Sequence, residues 1–137
     1  MRNEKDVEAY LLRLNRRFEA VEAQPGTFLV HTREDMPPIA VRVDPPIVLL
    51  RFHIGDVPGG ADQTALYRKL LTLNARALVH AAYGLEDSKI VLGAALALEN
   101  LDFNEVQATL DELDVAIAQQ VPELLSLARA SARPPVQ

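Results

Sequence analysis

The chain has 137 residues, a net charge of −5 and no cysteine. This length predicts a single domain with its own core, and the lack of cysteine excludes a disulfide framework and a thiolate metal site. The longest apolar run, residues 47–50, is far too short to cross a membrane, and the charge-rich first ten residues predict no export signal. We therefore expect a cytoplasmic protein that does not bind membranes. The acidic balance also argues against a nucleic-acid-binding surface.

The first predicted element is an amphipathic helix. Asn3 is a candidate N-cap, and Asp6 stands where it can complete a capping box. Apolar residues then recur at steps of three and four, which is the spacing of one helix face: Val7, Tyr10, Leu11, Leu14, Phe18 and Val21. The turn formers Pro25 and Gly26 are expected to end this helix.

Strands are predicted for the next part of the chain, where prolines are frequent. Residues 27–32 are rich in β-branched and aromatic side chains, and residues 39–43 alternate between apolar and other side chains. Residues 47–54 begin as an apolar run and then alternate, with Arg51 and His53 expected to point outward. A glycine-rich loop follows at residues 55–60.

The second half predicts a helix, a hairpin and a last helix. Residues 62–78 carry an apolar stripe that includes Leu66, Leu70 and Leu73, with Asp62 as candidate N-cap. Residues 79–85 and 89–98 are predicted to pair as a hairpin. Asp102, followed by Glu105, predicts the start of a third helix, which Pro122 should kink or end.

The order helix, three strands, helix, two strands, helix predicts an α+β fold. In this architecture an antiparallel sheet of about five strands carries the helices packed on one side. No linker divides the chain, so we expect one domain over residues 1–129. Residues 130–137 are expected to form a flexible tail.

No pattern typical of an active site is found, and we expect no catalytic, metal-binding or cofactor-binding residue. His31, His53 and His80 are too far apart for a short ligand motif. An enzyme or metal protein stays an alternative only if these histidines, or a pair of carboxylates, converge on folding. Asp111, Glu112 and Asp114 are interpreted as a solvated helix face, because acid–base catalysis needs a desolvated cleft.

Charge is distributed unevenly along the chain. Between Lys89 and Arg129 there is no lysine or arginine, so the third helix presents an acidic face. Arg13, Arg16 and Arg17 place positive charge on the first helix. This asymmetry serves solubility, or it steers a basic polypeptide or orients a partner.

The pattern as a whole resembles the type III secretion chaperone superfamily over about residues 4–128. This superfamily includes the Tir-chaperone (CesT-like) family and the YbjN-like proteins. The resemblance is carried by three segments: Leu70-Leu71-x-Leu73-Asn74, the hairpin from Ala82-Tyr83-Gly84-Leu85 to Ile90-Val91-Leu92, and Asn100-Leu101-Asp102-Phe103 before the third helix. These motifs encode packing and capping, so they are typical of the fold more than of one family within it.

The resemblance implies a small, non-catalytic bacterial protein that forms a homodimer and holds an extended segment of a partner protein. It places the dimer interface on the second helix, at Leu66, Leu70 and Leu73. It places the partner on an apolar patch of the first helix and the sheet, with these candidate residues: Tyr10, Leu14, Phe18 and Phe28.

Two roles remain open under this resemblance. The first is that of a secretion chaperone. The second is that of a YbjN-like regulatory module acting on a folded partner, which the unusually apolar residues 94–98 and the tract 79–83 favour.

Overall fold

The computed structural model describes residues 1–59 and 62–132. It confirms the predicted α+β class. In chain order the elements are α1 (Glu4–Arg13), β1 (Phe18–Ala20), β2 (Thr27–Val30), β3 (Ile39–Asp44), β4 (Ile47–Asp56), α2 (Thr64–Arg76), β5 (Ala82–Glu86), β6 (Lys89–Ala97), α3 (Phe103–Gln119) and α4 (Val121–Ala132). Since α4 continues to Ala132, the part of the expected tail from residue 133 onward lies outside the described residues.

The strands form one antiparallel sheet in the order β1-β2-β3-β4-β6-β5. Six strands are present instead of about five, because α1 ends at Arg13 and the chain returns as β1. The prediction that Phe18 and Val21 lie on the first helix is therefore wrong. Asn15 has a left-handed backbone, with a φ of 56°. Asparagine tolerates this conformation, which stops the helix before Phe18.

The core lies between one face of the sheet and the helices. The strand register aligns Phe28, Val41, Leu50 and Ala94 across four strands, and all four are buried. Facing helices contribute buried residues that include Leu11, Leu66, Leu110, Leu113 and Ile117. The opposite sheet face carries partly or fully exposed side chains in β3, β4 and β5. The helices thus cover one side of the sheet, as predicted.

The helix ends follow local capping chemistry. The Asn3 side chain accepts hydrogen bonds from the N–H groups of Lys5 and Asp6, and the Asp6 carboxylate accepts one from the N–H of Asn3. This is the predicted capping box. Asp102 caps α3 in the predicted way, through the N–H of Glu105.

The start of α2 differs from the prediction, whereas the third helix ends near Pro122 as predicted. Helix α2 begins at Thr64 with Gln63 as N-cap, because Asp62 uses its side chain in a turn with Thr64. The third predicted helix divides into α3 and α4, with Pro122 in the first turn of α4, where a missing N–H costs nothing. Within the described residues, no helix is both long enough and apolar enough to cross a bilayer.

Candidate functional site

The two edges of the sheet differ in whether another part of the chain pairs with them. At the β5 edge the Asn74 side chain acts like a neighbouring strand. Its amide nitrogen donates to the carbonyl of Tyr83 at 3.0 Å, and its oxygen accepts from the N–H of Tyr83 at 2.7 Å. This pairing uses the backbone groups of Tyr83 that β6 leaves unpaired, so α2 protects this edge against pairing with another chain.

The β1 edge (Phe18–Ala20) is open. The carbonyl of Arg17 accepts from the N–H of His31, and the N–H of Val21 donates to Thr27, both at 2.9 Å. Because hydrogen bonding alternates along an antiparallel strand, the backbone groups of Phe18 and Ala20 point away from β2. No hydrogen bond from another described element reaches them. A row of free donors and acceptors is a template for a further strand.

Two of the four predicted partner-binding residues meet beside this edge. The rings of Phe18 and Phe28 contact edge to face, with centroids 6.0 Å apart. Phe28 is 3% exposed and belongs to the core, whereas Phe18 is half-buried at the surface. A partner at this edge would therefore contact Phe18, with Phe28 as the support beneath it.

Tyr10 lies on α1, and Leu14 is the C-cap of that helix. The Tyr10 hydroxyl donates to the carbonyl of Leu101 at 3.0 Å, and its ring packs edge to face on Phe103 at 6.4 Å. Tyr10 thus joins α1 to the start of α3. Leu14 is half-buried at the C-cap of α1. Since Tyr10 and Phe18 have different ring partners, the three aromatic residues of the predicted set do not form one aromatic cluster.

The predicted dimer residues on α2 are mostly enclosed by their own chain. Leu66 and Leu70 are buried in the core, and Leu73 is half-buried against it. The outward side of α2 instead presents Leu71, which is 69% exposed in a shallow groove with Tyr67. The prediction named Leu66, Leu70 and Leu73 because they form the main apolar stripe of the helix, and this stripe packs against the chain's own core.

The three histidines do not converge. Each one pairs with a different glutamate: His31 with Glu19 at 3.5 Å, His53 with Glu86 at 3.8 Å and His80 with Glu112 at 2.9 Å. Across residues 1–59 and 62–132, no group of three or more histidines and carboxylates is arranged to hold a metal ion.

The acidic face of α3 is not simply solvated, contrary to the interpretation from the sequence. Asp114 makes a two-pronged ion pair with Arg16 at 2.7 and 2.9 Å. Glu112 binds the loop between α2 and β5 through the N–H groups of Val79, His80 and Ala81. The same three donors explain why β5 begins at Ala82, later than predicted.

The structure is thus an α+β domain with helices on one sheet face and a pair of aromatic rings at the open β1 edge. The family model CesT_Tir_1 matches residues 1–130, so the chain belongs to that family. No curated protein matches the sequence of this chain.

Solved structures share the fold at low sequence identity. A chain of the heterodimeric ExoU–SpcU complex of Pseudomonas aeruginosa is 18% identical, with a TM-score of 0.65 over 85% of this chain and 95% of that one. YbjN of E. coli is 14% identical, with a TM-score of 0.63 over 86% and 93%. The structure of the Yersinia pestis type III secretion chaperone SycH with a fragment of YscM2 gives 16% identity and a TM-score of 0.56 over 90% and 98%.

Proposed function

We propose that this protein is a non-catalytic, cytoplasmic chaperone that acts as a homodimer and holds an extended segment of a partner protein. The observation that carries the proposal is the family match over residues 1–130. The similarity to SycH, a type III secretion chaperone solved with a fragment of YscM2, supports a protein partner.

The β1 edge is the proposed place for the partner segment. An added strand would bond to the backbone groups of Phe18 and Ala20, which gives affinity for any extended chain. Phe18 would supply the apolar contact that selects among sequences. The β5 edge is a poorer candidate, since Asn74 already occupies Tyr83.

The proposed dimer forms through the outward side of α2. Leu71 would lie at its centre, near Tyr67 and Ala75, with Leu66, Leu70 and Leu73 supporting the helix from the core side. Light scattering should then give a dimer for the natural chain and a monomer for Leu71→Asp. Leu12→Asp, at a residue that is 66% exposed on α1, is the matched control and should remain dimeric. A monomeric natural chain would contradict this part of the proposal.

The partner-holding role is tested with the partner recovered from the native host and then reconstituted from purified components. Full burial of an exposed phenylalanine side chain contributes about 1.5–3 kcal/mol, and Phe18 is already half-buried, so Phe18→Ala should weaken the complex roughly three- to tenfold. Leu12→Ala should leave the affinity unchanged. The proposal fails if Phe18→Ala binds as tightly as the natural chain while circular dichroism shows that it is folded.

The second candidate is a YbjN-like regulatory module that binds a folded partner. The similarity to the fold of YbjN, with a TM-score of 0.63, is the observation that favours this second candidate. The two roles differ in the state of the bound partner. A chaperone holds a segment that is unstructured when free, whereas a regulatory module leaves a folded domain folded. Proteolysis of the partner alone and in the complex separates the two outcomes.

A further inference from the structure

A cleft of about 550 Å³ lies where the chain leaves α1 and where it leaves β2. Its walls come from residues 16–17 and from the segment after β2, which includes His31, Thr32 and Arg33. Three arginines face one small volume here, in a chain whose net charge is −5.

Two of these arginines are free to bind a ligand. Arg16 is engaged by Asp114, so its charge is balanced. Arg17 and Arg33 are exposed and form no ion pair with any described residue. Glu34 is the acidic residue of the wall, and it too forms no ion pair within the described chain. The cleft therefore keeps two unpaired cations against one unpaired carboxylate.

The wall also contains a polar atom without a partner. Thr32 Oγ1 is shielded from solvent and has no hydrogen-bond partner among the described residues. Buried hydroxyl groups are usually hydrogen-bonded, because leaving one unpaired costs free energy. Because this oxygen has almost no exposed surface, a ligand in the cleft would contact the two arginines and not this hydroxyl.

The cleft is continuous with the β1 edge. Arg17 directly precedes Phe18, and His31 directly follows Val30, the residue opposite Phe18 in the register. The N–H of His31 bonds to the carbonyl of Arg17, which closes the β1–β2 ladder at the mouth of the cleft. A strand added along β1 would thus bring one of its ends to Arg17.

We infer that this cleft, called here the basic cleft, binds acidic side chains at one end of the extended partner segment. The inference rests on the proposed function and adds a sequence preference to it: an apolar stretch for the β1 edge, flanked on one side by aspartate or glutamate. The carboxylate would pair with Arg17 and Arg33, and the contact would fix the direction and register of the bound segment.

The test is selection from a phage-displayed library of random dodecapeptides, with three forms of the protein as bait. These are the natural chain, the double variant R17Q/R33Q and the control R42Q/R129Q, which removes two exposed arginines from β3 and α4. The natural chain and the control should enrich peptides with acidic residues at one end, and R17Q/R33Q should not.

The affinity of a selected acidic peptide gives the second readout. Two exposed charge pairs correspond to roughly a tenfold weaker Kd for R17Q/R33Q at low salt. The control should bind as the natural chain does. Raising the salt concentration should reduce the affinity of the natural chain toward that of R17Q/R33Q, because mobile ions screen exposed charges.

Each other outcome separates the two claims. If the selected peptides show no preference for acidic residues, or if R17Q/R33Q keeps the preference, the basic cleft does not bind acidic side chains. The proposed function would still stand in that case. Selection of no peptide by the natural chain would contradict the binding of extended segments, and the inference would fall with it.

Discussion

Replacing Glu112 by glutamine tests whether one carboxylate holds the loop between α2 and β5 in place. Its oxygens accept hydrogen bonds at 2.7 to 3.2 Å from four donors: the N–H groups of Val79, His80 and Ala81, and Nδ1 of His80. An amide keeps one accepting oxygen but turns the other position into a donor that faces N–H groups. Glu112→Gln should therefore detach part of the loop from α3.

The expected loss follows from the exposure of these groups. Hydrogen bonds to a charged group contribute about 1.5–3 kcal/mol each when they are buried. The Glu112 side chain is only 16% exposed, but Val79 is 86% exposed, so water can replace that bond. We expect a total loss of about 2 kcal/mol, which for a domain of this size lowers Tm by about 7 °C.

The pH dependence has a definite sign. Burial raises the pKa of Glu112, but the backbone hydrogen bonds from His80, Val79 and Ala81, with the His80 ring, outweigh burial and leave the pKa below its usual 4.5. A carboxyl group with a lowered folded-state pKa stabilises the protein above its unfolded-state pKa, and this contribution is lost as the pH falls through the folded-state pKa. The loss of stability caused by Glu112→Gln should therefore be largest at pH 7 and become smaller as the pH falls below 4.5.

The assay is urea unfolding of the natural chain, Glu112→Gln and Asp111→Asn across this pH range. Asp111 is the matched control, because it is an exposed neighbour on α3 with no hydrogen bond or ion pair within the described chain. A Glu112→Gln protein as stable as the natural chain at pH 7 would refute the reasoning. An equal loss in Asp111→Asn would refute it too, since the effect would then be one of net charge.

Two further substitutions test the packing of α2. Asn74→Ala should lower the free energy of unfolding by about 1–3 kcal/mol, because the N–H and carbonyl of Tyr83 both lose their partner. Asn74→Asp should recover part of this loss, since it keeps an acceptor for the N–H of Tyr83. An Asn74→Ala protein that unfolds at the same temperature as the natural chain would contradict the strand-like role of this side chain. Leu70→Ala should cost about 2–5 kcal/mol in urea unfolding because it leaves a cavity in the core, and a loss under about 0.5 kcal/mol would show that α2 is oriented differently.

Local signals in the sequence predicted the parts of the fold that depend on neighbouring residues. The caps at Asn3 and Asp102 are of this kind, since each acts within three residues along the chain. The alternation in β3 and β4 also predicted the correct buried face, because a strand with one face in the core has a period of two.

Features that depend on distant contacts could not be predicted in this way. The spacing of Phe18 fits the helical period of α1, and only the left-handed Asn15 shows that the helix has ended. Glu112 and Asp114 look like solvated acids, but their partners lie 32 and 98 residues away. The spacing of Leu66, Leu70 and Leu73 likewise shows that they share one face of α2, but only the packing of the sheet and α4 shows that this face is in the core and is not a dimer surface of its own.

The central claim is that the β1 edge takes up an extended segment of another protein. Hydrogen exchange with mass spectrometry on the natural chain, alone and with its reconstituted partner, tests it most directly. The account predicts that the amides of Phe18 and Ala20 become protected on binding, together with one short partner segment that exchanges freely on its own. Unchanged exchange at Phe18 and Ala20, with a partner that is protected throughout a folded domain before and after binding, would contradict the account.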